Sequence, residues 1–539
     1  MKNYVLSISI LFMFLGFVGE VHAANPVYPN RPKLILTLVI DQFRADYLTR
    51  FESRFLPSKG PRGVGGFRYL MNEGAYYPFG QYDILHSMTG PGHATILTGA
   101  YPYKNGIPMN YWFDREKQVK TYCTEGGSPQ NLLATTVGDE LKNAGLPSRV
   151  VSFALKDRAA ILMGGHRADL AFWFDNKGPG WTSSSFYQDG ALPAWLVKLN
   201  REIQVRKGEK YIWNVSGKPT GYSADDAIAY QPKVPSLGKG FPHEALFGSR
   251  ESFAMPLGLD LIETAAERVI TAMGLGKGKS TDLLAISFSN HDYMGHAFGP
   301  NSLEMEEMTV AEDRVISKLL NFVQKNVPGG LKDVLIVLTA DHGAPLSPEW
   351  MKAHKMDAGR IQEKALAEKV NQRLNDKFGK PDSGDWVSFV YDLEIYLNHH
   401  LIRDKKLDRA RVQAEAKTAL LGTPGLAFVF TEAEYYERKL PPVMHERQAL
   451  KTYFPARSGD LVLIARPYWV PQTDDAIEHV TGYNYDRTVP VIFAGPSIRA
   501  GIYPKLIEVV DIAPTLSFVS GILMPSVSEG RVLSEVLKY

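Results

Sequence analysis

Five short runs of mostly apolar residues, spread over nearly the whole chain, constrain the fold more than any other feature. They occupy residues 34–40, 149–153, 282–289, 334–339 and 489–495. A strand covered by helices on both faces reads as such a run, whereas a strand with one wet face alternates apolar and polar residues. Helical patterns lie between the runs, for example at residues 257–273 and 304–323. The sequence therefore predicts an α/β fold with a central, mostly parallel sheet sandwiched by helices.

Two regions interrupt this pattern, and we interpret them as insertions that form a cap beside the cleft. The first is rich in Trp, Tyr, Gly and Ser, which favours irregular structure. The second mixes helical and strand-like patterns. We therefore predict one catalytic domain, residues 24–539, with insertions at about 166–256 and 345–473.

The first 23 residues have the pattern of a signal peptide. Lys2 is followed by the apolar run Tyr4–Val18, and Val21–Ala23 resembles a cleavage site. Retention as an uncleaved anchor is the alternative. No later run of about 18 apolar residues follows, so we expect no stable membrane insertion of the mature protein. The pattern predicts a periplasmic or secreted protein.

Charge and cysteine content narrow the classes of ligand. The formal net charge of this 539-residue chain is only +2, so no global field favours nucleic acid, and any anionic substrate must be attracted by a local site. Cys123 is the single cysteine, which excludes an intrachain disulfide. A metal site in this chain must therefore use oxygen and nitrogen ligands.

Acidic and imidazole side chains follow three of the apolar runs. Asp41 follows the first, the pair Asp292 and His296 follows residues 282–289, and the adjacent Asp341 and His342 follow residues 334–339. Each alone fits a helix cap. Ligands of open α/β sheets bind at the carboxyl ends of the strands, and these residue types suit Zn²⁺. Three such coincidences at one topological position favour a metal site.

A glycine-rich turn begins at Thr89 and leads into a helix-compatible run, residues 94–97. A helix that starts just after Thr89 would direct free backbone N–H groups at its hydroxyl, a geometry that attracts anions. The turn alone equally fits an ordinary N-cap threonine.

A second candidate anion site is the pair Lys156 and Arg158. Two cations one residue apart lie on the same side of an extended segment and could clamp an anion together. The alternative is a solvated charged loop.

An ordered set of motifs resembles the alkaline phosphatase superfamily, most closely the PafA-type bacterial alkaline phosphatases, relatives of the nucleotide pyrophosphatases/phosphodiesterases. The resemblance covers nearly the whole mature chain. The motifs are VIDQFRADYL, TGPGHATILTG, NGIPMNYWFD, KDRAAIL, HDYMGHAFG, TADHG, HVTGYNYD and VVDIAPTL.

The resemblance implies a site with two Zn²⁺ ions and a threonine nucleophile that forms a phosphothreonine. It implies that Thr89 is the nucleophile and that the backbone N–H after it contacts the phosphate, together with Asn110, Lys156 and Arg158. One ion would be held by Asp292, His296 and His479, and the other by Asp41, Thr89, Asp341 and His342. The sequence around His479 departs from the family pattern, because Val480 stands where a glycine is usual. A second departure is Arg487-Thr488, which stands where a Thr-His pair is expected.

The function implied is an exported zinc-dependent alkaline phosphatase that acts on small phosphate monoesters, and we expect a monomer. Two cations match a dianionic monoester better than a monoanionic diester. The alternative is a phosphodiesterase or nucleotide pyrophosphatase of the same superfamily. A sulfatase needs Cys or Ser in a C/S-x-P-x-R context, which Cys123 lacks. A secreted binding protein with an inactive metal site is a further alternative, disfavoured by the complete ligand set.

Overall fold

The computed structural model describes residues 31–61, 63–175, 178, 180–188, 191–221, 237–238, 240–440 and 445–538. The expected signal peptide, residues 1–23, and part of the first expected insertion lie outside these ranges.

The strands range from two to eight residues in length. In chain order they are β1 (Leu34–Ile40), β2 (Lys59–Gly60), β3 (Gly63–Val64), β4 (Gly74–Gln81), β5 (Tyr111–Asp114), β6 (Val119–Tyr122), β7 (Val150–Ala154), β8 (Leu170–Asp175), β9 (Gly180–Thr182), β10 (Lys210–Trp213), β11 (His243–Leu246), β12 (Asp282–Phe288), β13 (Val334–Thr339), β14 (Gly359–Ile361), β15 (Val387–Tyr391), β16 (Glu394–Leu397), β17 (Leu426–Thr431), β18 (Leu461–Ala465), β19 (Trp469–Pro471), β20 (Thr488–Ala494), β21 (Gly501–Ile502) and β22 (Ile507–Glu508).

The α-helices range from single turns to 24 residues. They are α1 (Tyr47–Arg50), α2 (Phe67–Glu73), α3 (Thr89–Thr98), α4 (Pro102–Asn105), α5 (Val137–Asn143), α6 (Asp157–Gly164), α7 (Ala194–Val205), α8 (Arg250–Ala254), α9 (Pro256–Met273), α10 (Asn290–Phe298), α11 (Leu303–Asn326), α12 (Pro348–Ala353), α13 (Glu363–Phe378), α14 (His399–Asp404), α15 (Arg409–Leu420), α16 (Glu432–Tyr436), α17 (Glu446–Thr452), α18 (Asn484–Arg487) and α19 (Ile512–Ser520). None of the helices in the described ranges has both the length and the apolar character needed to cross a bilayer.

The predicted α/β fold is confirmed. The central sheet has the strand order β21-β4-β20-β13-β1-β12-β7-β8-β9, with β22 also paired to β4. The middle of this sheet, from β13 to β8, is parallel throughout. The last apolar run forms β20, which lies antiparallel to β13 and β4. Strand β1 is buried at all seven positions, as its apolar sequence requires of a strand between two neighbours and under helices.

Helices cover the sheet as the apolar sequence requires. Helix α6 packs against β7 and β8, and α9 packs against β12 and against α11. The buried apolar side chains of α9 and α11 belong to one large cluster that also contains the central strands and Met163 of α6. The candidate site lies where this cluster ends, at the carboxyl ends of the parallel strands.

A separate antiparallel sheet, β15-β16-β18-β17, forms between residues 387 and 465, within the second stretch interpreted as an insertion. Its own buried cluster includes side chains of the packed helices α13 and α15. Met88, directly before Thr89 at the start of α3, and Met109, directly before Asn110, belong to the same cluster. This small sheet is therefore anchored directly to the segment that carries Thr89.

The segment after β1 differs from the helical pattern of its sequence. We expect a helix over residues 43–51, but the structure has only the single turn α1. Gln42 adopts a left-handed backbone conformation with φ of 65°, and Arg44 donates to the carbonyl oxygen of Ala344 at 2.5 Å. These tertiary contacts at the strand end replace the first helical turn.

Candidate active site

The carboxyl ends of β1, β12 and β13 lie side by side because β1 pairs in parallel with both of its neighbours. Asp41 follows β1, Asp341 and His342 follow β13, and α10 after β12 carries Asp292. All four side chains are buried. The N-cap interpretation of Asp41 is wrong, since the next helix begins at Tyr47 with Asp46 as its N-cap.

Asp292, His296 and His479 form the first group of candidate metal ligands. The Nε2 atoms of the two histidines lie 3.0 Å apart, and they lie 3.3 and 3.4 Å from Asp292 Oδ1. The Nδ1–H of His296 donates to the Ile477 carbonyl at 3.0 Å, and that of His479 to the Ser87 carbonyl at 2.8 Å. A ring that donates through Nδ1 presents a lone pair at Nε2, which is the form that binds a metal.

Asp41, Asp341 and His342 form the second group. The His342 Nε2 atom lies 3.4 Å from Asp41 Oδ1 and 3.4 Å from Asp341 Oδ2. These three atoms are buried and make no hydrogen bond. Orphaned polar atoms cost about 1–3 kcal/mol each, so they call for a partner. Two carboxylate oxygens and one imidazole nitrogen are a donor set for a divalent cation such as Zn²⁺, and the residues present therefore fit the implied metal.

Helix α3 brings Thr89 to the two groups. The helix begins at Thr89 rather than just after it, Met88 is the N-cap, and no side chain caps the helix. The N-cap interpretation of Thr89 is therefore wrong. Gly92 allows the close approach, because a Cβ atom there would lie 2.3 Å from the backbone oxygen of Asp341.

Lys156 and Arg158 both donate to Thr89 Oγ1, each at 3.3 Å. They lie at the junction of β7 and α6, where Lys156 is the N-cap residue, not on an extended segment. Lys156 is only 6% exposed, so the solvated-loop alternative is wrong. Its ammonium group also donates to Asp41 Oδ2 at 2.6 Å and to Asp292 Oδ2 at 2.5 Å. Lys156 thus bridges the two groups of candidate metal ligands.

The charges of this cluster reinforce one another. Burial lowers the pKa of Lys156, but Asp292 and Asp41 outweigh it and hold that pKa above its ordinary value. Burial raises the pKa of Asp292, but Lys156 and His296 hold it well below the usual range. Burial lowers the pKa of His296, but Asp292 outweighs it and raises that pKa to about 10 in the metal-free site, so a cation bound at Nε2 would displace a proton. Asp292 is therefore a carboxylate and Lys156 an ammonium at alkaline pH.

Asn110 lies beside the nucleophile candidate. Its Oδ1 atom accepts the backbone N–H of Gly90 at 2.7 Å. That N–H is the one that the resemblance implies as a phosphate contact, and in this structure it is bound to Asn110. All the site residues expected from the sequence are thus brought to one place in the fold.

Two residues at this site were not singled out from the sequence. Gln42 donates through Nε2 to Asp292 Oδ1 at 2.8 Å and through its backbone N–H to Asp341 Oδ1 at 3.0 Å. The Nδ1–H of His93 donates to the Thr89 carbonyl at 2.9 Å and lies 3.1 Å from Asp341 Oδ2. His93 stands one helical turn after Thr89, a spacing that signals contact with the same neighbours.

Another cluster of possible ligands lies in the small sheet region, at His399, Glu432 and Asp460. Its carboxylates already have partners: Gln413 Nε2 donates to both at 2.9 Å, and Arg115 lies 3.1 Å from Asp460. This cluster is an ion-pair network rather than a set of orphaned ligand atoms.

Comparison with known proteins identifies a family to which most of this chain matches. The family model of type I phosphodiesterase / nucleotide pyrophosphatase matches residues 35–486. The alkaline phosphatase PafA of Elizabethkingia meningoseptica is 31% identical over 563 residues, covering 99% of each chain. A Myroides odoratus protein named calcium-transporting ATPase is 31% identical over 536 residues, covering 94% of this chain and 95% of that protein.

A solved structure is similar as well. The crystal structure of wild-type alkaline phosphatase PafA has a TM-score of 0.86 and 30% sequence identity to this chain, covering 94% of this chain and 99% of that one.

Proposed function

Because this chain belongs to the type I phosphodiesterase / nucleotide pyrophosphatase family and resembles PafA along its whole length, we propose that it is an alkaline phosphatase. It hydrolyses small phosphate monoesters through a covalent phosphothreonine on Thr89. The proposal includes export to the periplasm or beyond, which is supported by the signal pattern of residues 1–23.

The observation that carries the proposal is the pair of cations on one hydroxyl, since Lys156 and Arg158 each donate to Thr89 Oγ1. A phosphate monoester bound there has one more negative charge than a diester. A single pair of opposite charges about 4 Å apart is worth about 4 kcal/mol at an effective dielectric constant near 20. Cations at this hydroxyl therefore favour the dianion, Arg158 more than Lys156, because Asp41 and Asp292 already pair with Lys156.

We assign the two ligand groups to two Zn²⁺ ions. Asp292, His296 and His479 hold one ion. The other ion is held by Asp41, Asp341, His342 and the oxygen of Thr89. The chemistry supplied by the bound ions is Lewis acidity, which lowers the pKa of the threonine hydroxyl and compensates charge on the leaving oxygen.

The residues of the chain position the reacting groups. The Thr89 oxygen attacks phosphorus in line, so that the bond from phosphorus to Thr89 forms while the bond to the leaving alkoxide breaks. Water then attacks phosphorus, the bond from phosphorus to the Thr89 oxygen breaks, and inorganic phosphate leaves while the Thr89 oxygen takes up a proton from the water. Lys156 and Arg158 compensate the charge of the non-bridging oxygens, on which phosphoryl transfer chiefly depends, and Asn110 binds a further oxygen.

Phosphodiester or pyrophosphate hydrolysis is the second candidate, since the matching family model is named for those activities. The two candidates share Thr89 and the metal ligands. They differ in what Lys156 and Arg158 contribute.

Paired substrates with one leaving group separate the candidates. The kcat/KM of the purified chain is measured with p-nitrophenyl phosphate and with methyl p-nitrophenyl phosphate, and ATP is added to the panel. We expect the monoester to be hydrolysed faster than the diester. A large preference for the diester would overturn the assignment in favour of the second candidate.

A further inference from the structure

We propose that Tyr122 is a positioning residue that makes the site selective for monoesters by holding the guanidinium of Arg158 against Thr89. This inference rests on the proposed phosphatase function and extends it to a residue outside the expected ligand set. Tyr122 is the last residue of β6, and β6 is not one of the strands whose carboxyl ends carry the candidate metal ligands.

The hydrogen bonds of Arg158 fix its guanidinium at two points. Nη2 donates to Thr89 Oγ1 at 3.3 Å, and Nη1 donates to the hydroxyl oxygen of Tyr122 at 3.3 Å. Since a guanidinium has no acceptor, the phenol oxygen must accept in this contact. The hydroxyl of Tyr122 can therefore donate its own hydrogen bond to another group, and it donates to Asp157 Oδ1 at 2.7 Å. The two hydrogen bonds therefore run in one donor-to-acceptor direction: Arg158 donates to Tyr122, and Tyr122 donates to Asp157.

Hydrogen bonds from backbone N–H groups fix the positions of Asp157 and Tyr122 in this set of contacts. Asp157 Oδ1 also accepts the N–H of Arg158 at 2.8 Å at the start of α6. The N–H of Tyr122 donates to Glu125 at 3.0 Å. The next residue, Cys123, donates its N–H to the Asn110 carbonyl at 3.0 Å. The hairpin of β5 and β6 therefore carries Asn110 and Tyr122 side by side at its open end, where Asn110 contacts Gly90 and Tyr122 contacts Arg158.

A neutral anchor leaves the positive charge of Arg158 available. The guanidinium of Arg158 donates to two neutral hydroxyl oxygens, those of Tyr122 and Thr89, and its Nε makes no hydrogen bond. A carboxylate at the position of the phenol would neutralise the guanidinium, whereas the phenol only orients it. Burial raises the pKa of Tyr122 despite the opposing effect of Arg158, so the hydroxyl keeps its proton at alkaline pH.

Selectivity follows from the charge that Arg158 meets. A monoester dianion has a charged oxygen where a diester has an alkyl group, and a guanidinium fixed beside Thr89 can donate a charge-assisted hydrogen bond to that oxygen. Release of the guanidinium should therefore harm monoester hydrolysis more than diester hydrolysis.

The test is a double-mutant cycle with two substrates that share a leaving group. Tyr122→Phe, Arg158→Ala and the double variant are compared with the wild type using p-nitrophenyl phosphate and methyl p-nitrophenyl phosphate. Tyr111→Phe is the matched control, because it removes a hydroxyl from the cross-strand neighbour, whose ring centroid lies 4.7 Å from that of Tyr122. Thermal unfolding and zinc content are recorded for each variant.

We expect Tyr122→Phe to lower kcat/KM for the monoester by about 10- to 100-fold, the effect of a lost hydrogen bond to a charged group. The diester value and the Tyr111→Phe control should change by less than about threefold. In the Arg158→Ala background the phenylalanine substitution should have no further effect on the monoester, because its partner is gone.

Equal losses for both substrates, or additive losses in the double variant, would overturn the inference and leave Tyr122 a structural residue. If Tyr122→Phe fails to fold, Asp157→Ala provides the same test by releasing the phenol. The wild-type ratio of the two substrates reports separately on the proposed function, so its failure is distinguishable from failure of the inference.

Discussion

Gly92→Ala is a small substitution whose effect is determined by the approach of α3 to Asp341. On helix propensity alone the change should stabilise α3 by about 1 kcal/mol. The added Cβ would, however, lie 2.3 Å from the backbone oxygen of Asp341 and 2.7 Å from its Cβ. Ordinary contact begins near 3.4 Å, so the helix and the strand end must separate by about 1.1 Å.

The magnitudes favour the steric conflict. Overpacking of this kind costs about 1–3 kcal/mol, which exceeds the gain in propensity. Since the atoms in conflict belong to the backbone and to a Cβ, no rotamer change relieves it. A displacement of about 1 Å between a nucleophile and its catalytic partners costs about 100-fold in rate. We therefore expect kcat for p-nitrophenyl phosphate to fall by about that factor, with weaker zinc binding as Asp341 shifts.

The assay combines turnover, zinc competition with a chelator and thermal unfolding. Gly60→Ala is the control, because a Cβ at that exposed position would meet nothing within 4 Å. A Gly92→Ala variant with wild-type turnover and a higher unfolding temperature would refute the close approach of α3 to the Asp341 turn.

Three further predictions follow from the site. Thr89→Ala should abolish turnover while zinc content stays the same, and residual turnover at the wild-type rate would exclude Thr89 as the nucleophile. Acid quenching during turnover should leave a phosphoryl group on the peptide that contains Thr89, as seen by mass spectrometry; labelling of another residue would contradict the mechanism. His93→Asn, which keeps a donor close to the position of Nδ1, should retain more activity and zinc affinity than His93→Gln, which does not, because the donor to the Thr89 carbonyl is the important one. Equal losses in the two variants would argue against that contact.

The sheet and the ligands at its edge could be predicted because they follow from local sequence patterns. The apolar runs marked the strands, and parallel neighbours place their carboxyl ends together, so Asp41, Asp292 and Asp341 converge as expected. His296 followed from helical spacing, since it lies one turn after Asp292 on α10. His479 came from the family resemblance alone, because it follows no strand end.

Contacts that depend on tertiary packing could not be predicted from the sequence. The antiparallel direction of β20 is set by its pairing with β4 and β13, and nothing in the apolar run distinguishes it from a parallel strand. Gln42, which has a left-handed backbone, donates to Asp341 and to Asp292, residues that follow two other strands, and no local pattern reveals these contacts. Tyr122 reaches Arg158 only because a hairpin folds back next to Asn110.

The central claim is that two zinc ions bind at the ends of the parallel strands next to Thr89, and anomalous diffraction at the zinc edge tests it most directly. We predict two peaks in each chain, one among Asp292, His296 and His479 and the other among Asp41, Asp341 and His342. A single peak, no peak, or zinc only at the network of His399, Glu432 and Asp460 would contradict the account.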